Sequence, residues 1–142
     1  MDTTNRLTLA DIMSRNAKSL APSDTVRTAA EMMRENNIGA IPVVDAGRLV
    51  GIITDRDLVL RALAEGMDAG APIGPISSTD VVCGSTEMSV PDAASLMSQK
   101  QIRRLPVVDG TRLVGIVSIQ DVAQNADTGL VGQVVEAITE ES

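Results

Sequence analysis

With 142 residues, 44% of them hydrophobic, the chain can build one compact unit, or two small ones that share a core, while two independent domains would be marginal. Its net charge of -7, from 12 Lys and Arg against 19 Asp and Glu, repels polyanions and argues against a nucleic-acid partner. His, Phe, Tyr and Trp are all absent, which removes the commonest general base and metal ligand together with every aromatic platform for stacking a base; any bound heterocycle must be gripped by aliphatic side chains.

The start, Met1-Asp2-Thr3-Thr4-Asn5, lacks the basic and apolar regions of a signal peptide, and no later stretch approaches the roughly 20 apolar residues of a membrane span, so a cytoplasmic location is expected. A short strand is expected near 17–20. Apolar positions Val26, Ala29, Ala30 and Met33 follow the i, i+3, i+4, i+7 spacing of a helix face, with Thr25 as its cap. Two β-branched runs come next, 41–44 and 49–53, joined by Asp45-Ala46-Gly47-Arg48, which has the length and glycine content of a hairpin turn. A helix over 55–64 closes this series.

The same order then returns. Laid on itself at the spacing from Pro42 to Pro106, the chain matches without a gap: Ile38, Pro42-Val43-Val44-Asp45 and Arg48-Leu49-Val50-Gly51-Ile52 stand opposite Ile102, Pro106-Val107-Val108-Asp109 and Arg112-Leu113-Val114-Gly115-Ile116. Val90, Ala93, Ala94 and Met97 repeat the helix face, and Asp121 repeats Asp57. That makes about 15 identities over 25–59, where average composition gives roughly two or three. The match reaches back to Ile12 and Ser14, opposite Ile76 and Ser78. Within the second copy a short strand is expected near 81–83, ending at the single cysteine, Cys83, which can form neither an internal disulfide nor a Cys-rich metal cluster and reads as a small buried apolar residue. Ser89 and Asp92 form an S-x-x-D capping box, Pro91 fits only a first helical turn, and Asp109-Gly110-Thr111-Arg112 is the second hairpin turn. A short helix over 119–125 and an apolar-periodic stretch over 130–138 follow.

A unit of this size cannot bury its own sheet, so two copies must pack together. Ile12-Met13, the Val-x-x-Ala-Ala-x-x-Met helix, Ile-Pro-Val-Val-Asp and Gly51-Ile52-Ile53-Thr54-Asp55-Arg56-Asp57, with their counterparts in the second copy, resemble the CBS motif, and a tandem pair in that family is a Bateman module. The resemblance covers nearly the whole chain. It implies an α/β fold of two pseudo-twofold-related CBS motifs, each β-α-β-β-α, packed through their small sheets. On this reading 8–66 is the first motif with its leading segment, 67–75 a linker, 76–126 the second motif and 127–142 a C-terminal helical tail.

Candidate chemistry concentrates where a strand becomes a helix, at Thr54-x-x-Asp57 and Ser118-x-x-Asp121. A carboxylate there can accept from the vicinal hydroxyls of a ribose, and a hydroxyl beside unpaired N–H groups can bind phosphate. Both pairs are also capping boxes, worth about 0.5–2 kcal/mol to the helix without any ligand, and the two roles are compatible. The resemblance implies that these residues make the nucleotide's ribose and phosphate contacts. It also implies that the segments before each proline, Ile38-Gly39-Ala40-Ile41 and Ile102-Arg103-Arg104-Leu105, lie across base and phosphates. Arg103 and Arg104 would then supply charge-assisted contacts that Gly39 and Ala40 cannot, with Ile41 and Leu105 lining the ligand and Arg56 a further phosphate candidate. The site of Ser118 and Asp121 is accordingly expected to bind phosphorylated adenosine more tightly, and that of Thr54 and Asp57 to be weaker or to favour a less charged ligand.

No activated nucleophile or metal cluster is apparent, so no enzyme activity, no metal site and no required cofactor are expected. Asp55 and Asp57 read as caps in preference to magnesium ligands. The functional expectation is a non-catalytic regulatory module that binds an adenine nucleotide between the motifs, AMP foremost, and signals to a protein target in trans. Two alternatives stand beside it: a ligand-free constitutive dimerisation or interaction module, and a binder of another adenosine derivative such as S-adenosylmethionine or a dinucleotide. The resemblance further implies a homodimer, for which the helices over 26–33 and 55–64 are the candidate interface.

Overall fold

The computed structural model describes residues 7–125, and the expected tail over 127–142 lies outside them. The described residues divide into two compact units: one holds 18–81, the other 7–17 together with 82–125. This division differs from the sequence repeat in a specific way. The leading segment of each copy packs into the unit built mainly by the other copy.

In the 18–81 unit, helix α2 (Val26–Asn36) is followed by the hairpin β1 (Ala40–Asp45) and β2 (Arg48–Thr54), paired antiparallel from Ala40 opposite Thr54 to Asp45 opposite Arg48. Thr25 caps α2 by accepting from the Thr28 N–H at 3.1 Å. At its far end Asn37 adopts the left-handed conformation, and Ile38 N–H closes the helix onto Met33 O at 3.1 Å. Leu20 bridges Val43 in parallel, the whole extent of the strand expected near 17–20. After β2 come one α-helical turn, α3 (Asp55–Asp57), and a π-helical stretch, Leu58–Leu63, where an ordinary helix was expected. The wider turn lets Ala62 pack at 2% exposure while Arg61 Nη1–H reaches Ile76 O at 3.2 Å. The core gathers Leu20, Ala29, Met33, Ile41, Val43, Ile53, Ala62, Ile73 and Ile76.

The other unit repeats this plan with α4 (Val90–Lys100), β4 (Arg104–Asp109), β5 (Arg112–Ser118) and α5 (Ile119–Asn125). Ser89 accepts from the Asp92 N–H at 3.2 Å, and Pro91 sits in the first turn of α4. A two-residue strand, β3 (Gly84–Ser85), runs parallel to β4, three residues beyond the start of the stretch expected to pair. Gly84 is where the chain can come close: a Cβ there would lie 2.6 Å from a Leu9 methyl and 3.1 Å from a Leu105 methyl. Helix α1 (Leu9–Ile12) completes the unit. The Thr8 N–H and hydroxyl both donate to Asp11 Oδ2, at 2.8 and 3.0 Å, and hold that carboxyl below the ordinary aspartate range. Leu9, fully buried, joins Val90, Ala93, Ala94, Met97, Leu105, Val107, Val117, Ile119 and Val122 in the core.

The exchange of leading segments is symmetric. Ser14 and Ile116 trade N–H to O bonds at 2.9 and 3.0 Å, and Ser78 and Ile52, the same positions one repeat apart, trade theirs at 2.9 Å each. Gly51 and Gly115 make room for these crossings. A Cβ on Gly51 would lie 2.9 Å from Ser78 O, and one on Gly115 2.8 Å from Ser14 O and 2.6 Å from Met13 Sδ.

Candidate functional site

Both strand-to-helix junctions have the same geometry. Thr54 ends β2 in extended conformation; its N–H donates to Asp57 Oδ2 at 3.0 Å, and its Oγ1 accepts from the Asp57 N–H at 3.1 Å. In the other unit Ser118 N–H donates to Asp121 Oδ2 at 3.0 Å, and Ser118 Oγ accepts from the Asp121 N–H at 3.1 Å. Each pair is thus a complete reciprocal capping box, and all four residues are half-buried. The box uses one carboxylate oxygen and one hydroxyl lone pair. The proton of each hydroxyl and Oδ1 of Asp121 lie outside the box's bonds, while Oδ1 of Asp57 faces the Arg61 guanidinium.

The preceding segments lie against these junctions through one repeated hydrogen bond. Asp55 N–H donates to Gly39 O at 2.9 Å, and Ile119 N–H donates to Arg103 O at 2.8 Å. Arg103 and Arg104 are therefore next to the Ser118 and Asp121 junction, both exposed. Ile41 and Leu105 are wholly buried in their units' cores, so either can offer a ligand only main chain. Arg56 is exposed and, with Asp55, Val59 and Leu60, lines a shallow surface depression.

Two further residues bear on the first junction. Arg61, one turn beyond Asp57, places Nε 3.9 Å from Asp57 Oδ1 while its Nη1 holds Ile76 O. An Asp-x-x-x-Arg spacing in a helix was the available signal. The equivalent position is Asn125, whose amide turns back to Asp121 O at 2.7 Å. Asp55 is the second: its carboxylate is held against Gly39, with Oδ1 accepting from the Arg56 N–H at 2.8 Å. Among the described residues no group of three metal-ligating side chains converges, and no helix is long and apolar enough to cross a membrane. Burial pushes the Cys83 thiol up, away from the reactive thiolate.

The family described as CBS domain matches residues 9–63 and 73–127. CBS domain-containing protein YhcV of Bacillus subtilis is 47% identical over 115 residues, covering 81% of this chain and 82% of that one. Hypoxic response protein 1 of Mycobacterium tuberculosis is 36% identical over 133 residues, covering 92% and 93%. Among solved structures, CBSX2 in complex with AMP superposes with a TM-score of 0.72 at 30% identity, over 83% of this chain and 94% of that one. The CBS domain pair of MJ0100, in complex with 5-methylthioadenosine and S-adenosyl-L-methionine, gives 0.70 at 32% identity, over 84% and 94%.

Proposed function

The chain belongs to the CBS domain family, as a tandem pair, and on that premise we propose that it is a non-catalytic regulatory module that binds an adenine nucleotide, AMP foremost, and signals to a protein target in trans. One observation carries this reading. Both units present a hydroxyl and a carboxylate held by a reciprocal capping box that leaves the hydroxyl proton and the second carboxylate oxygen, Oδ1, outside it, the pair of groups that a ribose and its 5′ substituent need. The AMP complex of CBSX2 and the adenosine-derivative complex of the MJ0100 pair support it by likeness. Arg103 and Arg104 supply positive charge beside one junction of an otherwise acidic chain, which favours a phosphorylated ligand there.

A ligand can signal only by its different affinity for two states, and the Asp57–Arg61–Ile76 chain of contacts offers a route from the ligand carboxylate to the segment leading out of the 18–81 unit. Assembly as a homodimer in the cytoplasm belongs to the same proposal. Val59, Leu60 and Leu63 are 52, 47 and 75% exposed on the π-helical stretch, apolar surface suited to an isologous contact.

The test uses the absent Trp and Tyr: purified protein is denatured, its small molecules are filtered off, and their 260 nm absorbance and mass are recorded. An adenine nucleotide at one or two per chain, lost in the Asp57→Asn plus Asp121→Asn double variant, is the expected result. A blank spectrum followed by no melting shift at millimolar AMP, adenosine or S-adenosylmethionine leaves the constitutive interaction module as the reading. Light scattering of the same preparation should give twice the chain mass.

A further inference from the structure

The repeated hydrogen bond from position 55 to 39, and from 119 to 103, allows the two junctions to be compared residue for residue, and they differ in charge at these matched positions. In the 18–81 unit the segment before the proline reads Gly39-Ala40, and the first helical residue is Asp55. In the other unit the segment reads Arg103-Arg104, and the first helical residue is Ile119, 3% exposed and part of the core. A Cβ at position 39 would lie 3.0 Å from Asp55 Oδ2 and 3.3 Å from its Cγ, so the glycine lets the carboxylate rest closer than a side chain there would. The Arg56 N–H, 2.8 Å from Asp55 Oδ1, fixes the carboxylate in that place. Arg56 makes no ion pair with it among the described residues, and its own side chain is exposed. One junction thus sets a carboxylate over the segment that carries two guanidinium groups in the other.

We propose that Asp55 is a specificity-determining residue: it makes the Thr54 and Asp57 site reject a 5′-phosphate and accept an adenosine derivative whose 5′ substituent is neutral or cationic, while the Ser118 and Asp121 site takes the phosphorylated ligand. This rests on the adenosine-binding reading above and adds a division of labour between the sites. A phosphate brought within a few ångströms of a fixed carboxylate meets a like charge, whereas a cationic centre there gains an opposite one. The two sites then report different compounds, and the chain compares a nucleotide with a charge-reversed relative of the same nucleoside.

Isothermal titration with three probes, AMP, adenosine and S-adenosylmethionine, tests this in the full chain and in an Asp121→Asn background that leaves the Asp57 site alone, each variant first checked for an unchanged ligand-free melt. In that background S-adenosylmethionine and adenosine should bind at least about tenfold tighter than AMP, and adding Asp55→Asn should close the gap chiefly by tightening AMP. Raised salt should weaken S-adenosylmethionine and leave adenosine unmoved. AMP binding as tightly as adenosine at the Asp57 site, with no response to Asp55→Asn, overturns the assignment and leaves the adenosine-binding reading intact. If none of the three probes binds even the unmutated chain, both fall together.

Discussion

At the scale of single residues, the two copies solve the same turn in different ways. Between β1 and β2, Ala46 and Gly47 have φ of 52° and 82°, positive at both central positions as a type I′ hairpin requires. Between β4 and β5 only Gly110, at 65°, is positive, the type II′ pattern, and Thr111 is free of the requirement. Ala46 is therefore the strained member, since its Cβ crowds the following carbonyl in a region that Asn occupies far more readily. Ala46→Asn, which creates an Asn-Gly turn on an exposed loop, should stabilise the protein by about 0.5–1 kcal/mol, read as a higher midpoint in urea with the slope unchanged. The same change at Thr111, where φ is not positive, should give no such gain.

At the scale of elements, the reading of the sequence succeeded wherever the determining interactions are local. Thr25, Ser89, Thr54 and Ser118 all cap the helices their spacing pointed to, and both hairpins close at the expected residues, because a cap or a tight turn is decided within four positions. The π-helical stretch was not legible, because its register is set by Arg61 reaching Ile76 and by Ala62 entering the core, contacts 15 residues apart or more diffuse. Gly39 and Asp55 left a trace: both positions break the repeat, as Gly against Arg and Asp against Ile, but only the structure shows that the two lie against each other. Gly51 and Gly115 stand in the sequence as matched positions of the repeat, and the structure adds a packing reason, since each lies under the crossing backbone of a leading segment. A methyl group at 115 meets Ser14 O at 2.8 Å, and backbone cannot swing aside as a side chain can. Gly115→Ala should therefore cost about 1–3 kcal/mol in chemical denaturation, and Gly51→Ala, with Ser78 O at 2.9 Å, a similar amount. Gly66→Ala, where no atom lies within 4 Å, is a control for methyl contact, although its φ of 72° adds backbone strain of its own.

At the scale of the molecule, the duplication predicted two copies, and the structure cuts them at other places. Leu9 precedes the first copy's helix by more than a dozen residues, yet it lies in the core with Val90, Met97 and Val117, and Ile76, at the head of the second copy, lies with Leu20, Ile41 and Ile53. No local pattern could show this, because an apolar residue in a leading segment has the same periodicity whichever core receives it. Neither copy as delimited by the repeat can then complete a core alone, which gives a physical reason for tandem pairing: each leading segment is stabilised only when the other copy is present. Leu9→Ala makes this measurable. Removing a fully buried leucine should cost about 2–5 kcal/mol, and the loss should fall on the unit that receives the side chain, not on the copy that encodes it. Native-state hydrogen exchange should show faster opening in α4, β4 and β5, over 90–118, with α2 and β1, over 26–45, changed less. Equal loss in both regions would mean that the two units open as one cooperative body. Loss confined to 26–45 would contradict the exchange of leading segments.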